Sequence, residues 1–151
     1  MRAEDIIPIA AIEREVFGDP WAKEVFESEL ANPSAVYLCA VGRGGEIWGY
    51  IGSWIVAGEL HITNIAVRKS KQYRGVGKHL LQLLENRSET EGCSVACLEV
   101  RRGNLSAQKF YQKRGYTVVH VRPNYYVDPT EDALVLKKIL SGVDDGHHPG
   151  G

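Results

Sequence analysis

Cysteine is scarce in this chain of 151 residues: Cys39, Cys93 and Cys97 are the whole complement. An odd, sparse set argues against a disulfide framework. Cys93 and Cys97 stand four positions apart, but no second Cys or His pair lies near them in sequence to complete a zinc site. All three read as small apolar side chains, and a reducing cytoplasm suits them. Long apolar runs are missing too; none approaches the ~18 residues of a membrane span. Charge is balanced, with a formal net of -1, so composition gives no push toward nucleic acid or a membrane surface. The opening stretch MRAEDIIPIAAIERE mixes acids among its apolar residues and does not read as a signal peptide. No internal repeat or long linker divides the chain, and its length suits one domain with one sizeable core. That domain is expected over residues 1–140, with a disordered tail over 141–151. His147 and His148, in DDGHHPGG, belong to the tail by their Gly/Pro setting; metal binding is the other reading of the pair, and no metal site is expected.

What is present is a regular alternation of helix and strand patterns. EDIIPIAAIEREVF places Ile9, Ile12 and Val16 at helical spacing, with Pro8 in the first turn. DPWAKEVFESELAN predicts a second short helix, capped by Asp19, started by Pro20 and buried along Val25, Phe26 and Leu30. AVYLCAVG and EIWGYIGSWIVAG are β-branched and aromatic runs joined by GRGG, a hairpin signal, and LHITNIAV is the next strand. Leu80, Leu81, Leu83 and Leu84 give a helix one apolar face, and Gly92 ends it. SVACLEVR is a strand. NLSAQKFYQKRG is a helix with Asn104 as cap, Ala107, Phe110, Tyr111 and Arg114 along one stripe, and Gly115 as stop. YTVVHVR and DALVLKKIL close the domain as strands around a polar loop, PNYYVDPTE. The order ααβββαβαββ predicts an α/β fold, a mixed sheet of about six to seven strands with helices on both faces.

The stretch QYRGVGKHLLQLLE, Gln72 to Glu85, is where a strand passes through a glycine-rich turn into a helix. A helix N-terminus offers unpaired N–H groups and partial positive charge. Gly75 and Gly77 leave room for close backbone approach, and Arg68, Lys69, Lys71, Arg74 and Lys78 add cations. The set suits a pyrophosphate. It is not a P-loop, because His79 stands where a hydroxyl is needed, and it lacks the three spaced glycines of a dinucleotide fingerprint. A plain helix-entry turn is the other reading of the same residues.

QYRGVG matches Q/R-x-x-G-x-G/A, and so resembles the acetyl-CoA pyrophosphate loop of the GNAT N-acetyltransferases. DPWAKEVFESEL, ITNIAV, LEVRRGNLSAQKFYQKRGY and RPNYY...EDALVLKK resemble, in order, segments of the RimI-like N-terminal acetyltransferases, from about Ile6 to Lys138. Gly103 before Asn104, and RKSKQ where a proline often stands, depart from that pattern. The resemblance implies the GNAT fold, splayed between the strands at 60–67 and 94–101, and acetyl-CoA as co-substrate. It implies that backbone N–H groups of Tyr73, Arg74, Gly75, Val76, Gly77 and Lys78 hold the pyrophosphate, with Gln72 part of the motif. Ile65, Ala66 and Val67 are expected to pair with the pantetheine arm like an added strand, and an N–H near Val67 to polarise the thioester carbonyl. Asn104 matches the family's cofactor-contacting Asn, beside its reading as a helix cap.

An amine attacking a thioester must be neutral. A protein α-amine titrates near 7.7–8.0 against about 10.4 for Lys, so roughly a tenth is already neutral at pH 7. A modest base then suffices, and the departing thiolate benefits from a proton donor. Glu99, an acid in the apolar strand CLEVR, either pairs with Arg101 on its own face or, by the resemblance, acts as general base. Tyr111 reads as core by its spacing and as general acid by the resemblance. Tyr125 and Tyr126 match a substrate-side YY loop, or form a packed aromatic turn. His61 is a second candidate base, with a structural or substrate-side role as the alternative, and Trp21 either packs a helix or lines a peptide groove. The implied function is acetylation of a protein N-terminus, in the RimI manner the alanine of a small-subunit ribosomal protein, by a cytoplasmic monomer or weak dimer without nucleic-acid or membrane partners. Acetylation of lysines or small amines, and a non-catalytic acyl-CoA-binding module, are the competing readings.

Overall fold

The computed structural model describes residues 1–140; His147, His148 and the expected tail lie outside them. The elements are α1 (Ile6–Val16), α2 (Lys23–Leu30), β1 (Ala35–Val41), β2 (Ile47–Val56), β3 (Glu59–Val67), α3 (Val76–Thr90), β4 (Val95–Arg101), α4 (Leu105–Gln112), β5 (Thr117–Tyr126) and β6 (Glu131–Ile139). Short 3-10 turns at Ala3–Asp5 and Lys69–Lys71 are added to the expected order. The strands form one sheet, β1-β2-β3-β4-β6-β5. All neighbours are antiparallel except β3 and β4.

Alternation along the strands builds a core on each face. Tyr37, Tyr50 and Ala66 meet Ile6, Ile9 and Ile12 of α1 and Phe26 of α2 on one side. Ile51, Leu60, Ile62, Leu98 and Val100 meet Leu80, Leu81 and Leu84 of α3 and Tyr111 of α4 on the other. A polar node is sealed into the second core. Glu85 is 4% exposed and accepts from the Tyr116 hydroxyl at 2.7 Å and the Lys138 ammonium at 2.9 Å, which ties α3 to the far half of the sheet.

The parallel pair β3–β4 makes the functional feature of the fold. Its ladder runs only from Glu59–Val95 to His61–Cys97. One step later the β2–β3 ladder slips: Gly52 faces Asn64 and Ser53 faces Ile62, leaving Thr63 as a bulge. A bulge bends its strand. β4 keeps its pairing with β6 through Arg101 while β3 turns away, so the sheet opens into a fork after His61, between the strands the sequence marked for it.

Several local expectations are corrected. α2 begins at Lys23, with Ala22 as its cap, so neither Asp19 nor Pro20 starts it. Of its expected stripe only Phe26 is buried; Val25 and Leu30 are exposed, and the other buried position is Glu29, which accepts from the Tyr37 hydroxyl and the Trp54 indole. Leu83 points off the α3 stripe and is 44% exposed. Residues 123–126 continue β5 instead of opening a loop, and the ladder to β6 resumes after an irregularity with Tyr126 opposite Glu131.

Candidate active site

The entry to α3 uses backbone conformations that glycine permits. Tyr73 and Gly75 have φ of 64° and 82°, in the left-handed region. Gly75 occupies the cap position and no side chain caps the helix, so the N–H groups of its first turn face the groove without an intrahelical acceptor. Gln72 donates from Nε2 to the Val67 carbonyl at 3.0 Å and so braces the loop against the end of β3. The Arg68 N–H bonds the Trp48 carbonyl of β2. Backbone direction alternates along a strand, so Val67 and Ile65 turn their backbone groups toward the fork, while Ala66 turns its own toward β2. A Cβ on Gly77 would meet Phe110 and Ile65 at ordinary contact distances, 3.6–3.7 Å. These residues form a groove of about 480 Å³, lined by Ile65–Val67, Gln72, Tyr73, Gly75–Lys78 and the α4 face from Asn104 to Arg114.

A second cleft, of about 300 Å³, lies on the other side of the fork. Glu99 lines it from β4. Its Oε1 is 2.7 Å from Nε2 of His61, on the last paired step of β3. The bond to His61 holds the Glu99 carboxyl below its ordinary value against the opposing effect of burial, and the positive charge of Arg122 adds to it. Glu99 is therefore a carboxylate at neutral pH. Arg101, its same-face neighbour, is engaged elsewhere: it bonds Glu131 at 3.1 Å and stacks over Tyr126 at 4.3 Å. The Glu99–Arg101 pair allowed by strand alternation is not formed, because β4 brings Glu99 beside β3 and Arg101 beside the β5–β6 turn.

Phe17, Ile65, Asn104, Ala107 and Tyr111 line both spaces. Tyr111 is 4% exposed and packs edge-on against Phe110 and Tyr116. Burial pushes its phenol above the ordinary tyrosine value, so it stays protonated and able to donate. Asn104 caps α4 through Oδ1, which accepts the Ala107 N–H at 3.2 Å, and it also borders both spaces.

The structure thus brings Glu99, His61, Tyr111, Asn104, Ile65–Val67 and the 72–78 loop to one fork. Tyr126 lines the cleft, with its phenol pushed up to about 12 by burial; Tyr125 stands outside, 46% exposed, against Arg122. Arg74 is exposed on the loop and does not line the groove. Trp21 packs on Phe26 at 5.6 Å, as its helix-packing reading expects, and also lines this cleft. Phe17 and Glu13 gave no signal in sequence beyond a helical pattern. Phe110 and Arg114 were visible as a stripe, but periodicity does not say whether a stripe meets core or groove. Among the described residues no group of three or more His, Cys, Asp or Glu is placed to hold a metal ion.

Comparison with known proteins extends these observations. The model of the acetyltransferase (GNAT) family matches residues 6–116. The chain is 38% identical over 137 residues to a putative [ribosomal protein bS18]-alanine N-acetyltransferase of Bacillus subtilis, covering 90% of each. It is 31% identical over 133 residues to the [ribosomal protein bS18]-alanine N-acetyltransferase of Escherichia coli K12, covering 86% of this chain and 88% of that one. The crystal structure of the ribosomal-protein-S18-alanine N-acetyltransferase from Escherichia coli superposes with a TM-score of 0.87 at 26% identity, over 99% of this chain and 96% of that one.

Proposed function

The chain belongs to the acetyltransferase (GNAT) family, and from that premise we propose that it acetylates the free α-amine of a protein N-terminus, an alanine of a ribosomal protein as in the relatives it matches. The observation that carries the proposal is the shared wall. Tyr111 borders both spaces, the α3 N-terminus opens only into the first and Glu99 only into the second. The first fits acetyl-CoA: uncapped N–H groups and the cations Lys71 and Lys78 suit its phosphates, and the bare Cα of Gly77 leaves them space. Acetyl-CoA supplies an activated acyl group with a thiolate leaving group.

In this proposal Glu99 accepts a proton from the incoming ammonium, directly or through one water. His61 holds one Glu99 oxygen at 2.7 Å and leaves the other for the amine. The Val67 N–H, whose own carbonyl is occupied by Gln72, is the donor available to the thioester oxygen. Tyr111 gives its proton to the departing sulfur. Direct transfer across the fork needs no side-chain nucleophile. Tyr126 and the Phe17–Trp21 connection flank the first residues of the peptide. Residues 1–140 act as one domain, since both spaces are cut from the same sheet. A ribosomal acceptor places the enzyme in the cytoplasm; among the described residues no helix is long and apolar enough to cross a membrane.

The test is mass spectrometry of peptides incubated with acetyl-CoA. A peptide with a free N-terminal alanine is expected to gain one acetyl group far faster than an N-terminally blocked peptide carrying an internal lysine. Equal rates on the two would move the protein to lysine or small-amine acetylation.

A further inference from the structure

Glu13, on α1, is a carboxylate that the proposed chemistry does not use. It is 3% exposed and lines the floor of the acceptor cleft. Among the described residues no cationic side chain pairs with it, and a carboxyl group so buried is tolerated only when hydrogen-bond donors surround it. Three neutral donors do so. The Tyr50 hydroxyl and the Asn64 amide, at 3.4 Å, donate to Oε1, and the Trp21 backbone N–H donates to Oε2 at 3.1 Å. Asn64 also donates to the Tyr50 hydroxyl oxygen at 2.6 Å, and the Thr63 hydroxyl donates to Asn64 Oδ1 at 3.1 Å. Thr63 is the bulge that opens the fork.

The same residue holds the other end of the α1–α2 connection. The Glu13 carbonyl accepts the Phe17 N–H at 3.0 Å. Glu13 therefore clamps both Phe17 and Trp21, and joins them to Asn64 on the opposite strand. Phe17 is part of the wall shared by the two spaces, Trp21 lines the cleft, and Asn64 lies on its floor. The carboxylate joins Trp21 to Asn64 across the cleft, and the backbone carbonyl of the same residue holds Phe17.

We propose that Glu13 is a positioning residue that fixes the width of the acceptor cleft, and through it the size of the N-terminal side chain the enzyme accepts. This rests on the function proposed above. A glutamine cannot replace the carboxylate silently: turned one way its NH₂ faces the Trp21 N–H, and turned the other it faces the Asn64 NH₂ and leaves the Tyr50 hydroxyl without its acceptor. The Trp21 end of the connection must then shift, while Phe17, held by the Glu13 backbone carbonyl, and the α3 loop and Tyr111, which the Glu13 side chain does not touch, keep their places. Tyr50→Phe removes one donor from Oε1 and leaves the Trp21 bond, so it widens the cleft less.

The experiment measures kcat and KM for peptides beginning with alanine and with leucine, and KM for acetyl-CoA, in the wild type, Glu13→Gln and Tyr50→Phe. Loss of hydrogen bonds to a charged group leads us to expect that Glu13→Gln raises KM for the alanine peptide about tenfold. The alanine-over-leucine preference in kcat/KM should fall about fivefold or more, again on that scale. KM for acetyl-CoA and kcat at saturation should stay within about twofold, since those groups are untouched. Tyr50→Phe should shift the preference the same way by less. A merely structural brace predicts a lower Tm with the preference and the peptide KM unchanged, and that result overturns the proposal. Should Glu13→Gln not fold, Tyr50→Phe decides by the same readouts. A wild type that acetylates no peptide α-amine overturns the functional reading and this proposal with it; an active wild type with an unaltered preference in both variants overturns this proposal alone.

Discussion

At the scale of single residues, the two groups proposed for proton transfer are prepared in opposite ways. Tyr111 is raised by burial alone, which keeps it an acid. Glu99 is lowered chiefly by its bond to His61, which keeps it ionised. Tyr111→Phe and Glu99→Gln should each lower kcat by about 10²–10⁴, the usual range for a lost general acid or base, with acetyl-CoA affinity retained. A kcat profile across neutral and alkaline pH separates them. Glu99→Gln should regain activity as pH rises through the α-amine value near 7.7–8.0, because solvent then supplies neutral amine. Tyr111→Phe should not, because high pH does not replace a lost acid. Turnover within about threefold of wild type in both variants, short of the general acid–base range, would defeat the assignment. The same Glu99 shift has a consequence for stability. A carboxyl held below its unfolded value of about 4.3 favours the fold while ionised. That contribution is complete above the unfolded value and is lost as pH falls through the folded one. Thermal unfolding of the wild type should therefore weaken more steeply than that of Glu99→Gln as pH drops below about 5.

At the scale of an element, the α3 entry separates two glycines that look alike in QYRGVG. Gly75 has φ of 82° and nothing within 4 Å of a Cβ, so its requirement is conformational. Gly75→Ala should cost about 1–2 kcal/mol of stability, the penalty of a left-handed L-residue. Gly77 sits inside the helix, where a Cβ has room against Phe110 and Ile65. Gly77→Ala should hold or raise Tm, since alanine is the better helix former by up to about 1 kcal/mol. It should also lose most of the stabilisation that acetyl-CoA gives by mass action, because the methyl group occupies the approach to the first-turn N–H groups. Thermal melts of both variants with and without acetyl-CoA measure the two effects together. An undiminished acetyl-CoA shift in Gly77→Ala would remove the loop from the cofactor site.

At the scale of the molecule, the two halves of the sheet are tied together by Glu85, outside the candidate site. It joins α3, which packs on β1–β3, to Tyr116 and to Lys138 of β6. Removing one member of a buried charged pair typically costs about 3–5 kcal/mol. Lys138 is partly exposed, so Glu85→Ala is expected at about the low end of that range, 3 kcal/mol, in urea unfolding. Lys138→Met should cost at least as much, because it leaves the buried Glu85 side chain with only the neutral Tyr116 hydroxyl. A loss in Glu85→Ala of no more than about 0.5 kcal/mol would show that the node carries no net stability.

Much of the protein was legible in its residues. Local periodicity fixed the ten helices and strands in order, because period 3.6 and period 2 are properties of short segments. The turn into α3 was legible for a similar reason: a left-handed backbone restricts the local residue type. Burial at the margins was not legible. Leu83, Val25 and Leu30 have core chemistry but lie on the solvent side of their helices, and Glu29 is buried because Tyr37 and Trp54 supply donors. Tertiary structure alone decided partnership. Strand alternation allowed Glu99 to meet Arg101; the three-step parallel ladder and the Thr63 bulge gave it His61 instead. Nothing near Glu13 in sequence announces Asn64, 51 positions away. A residue's type and local period set what its side chain can do, while its distance to another side chain depends on how far apart the folded chain brings two strands.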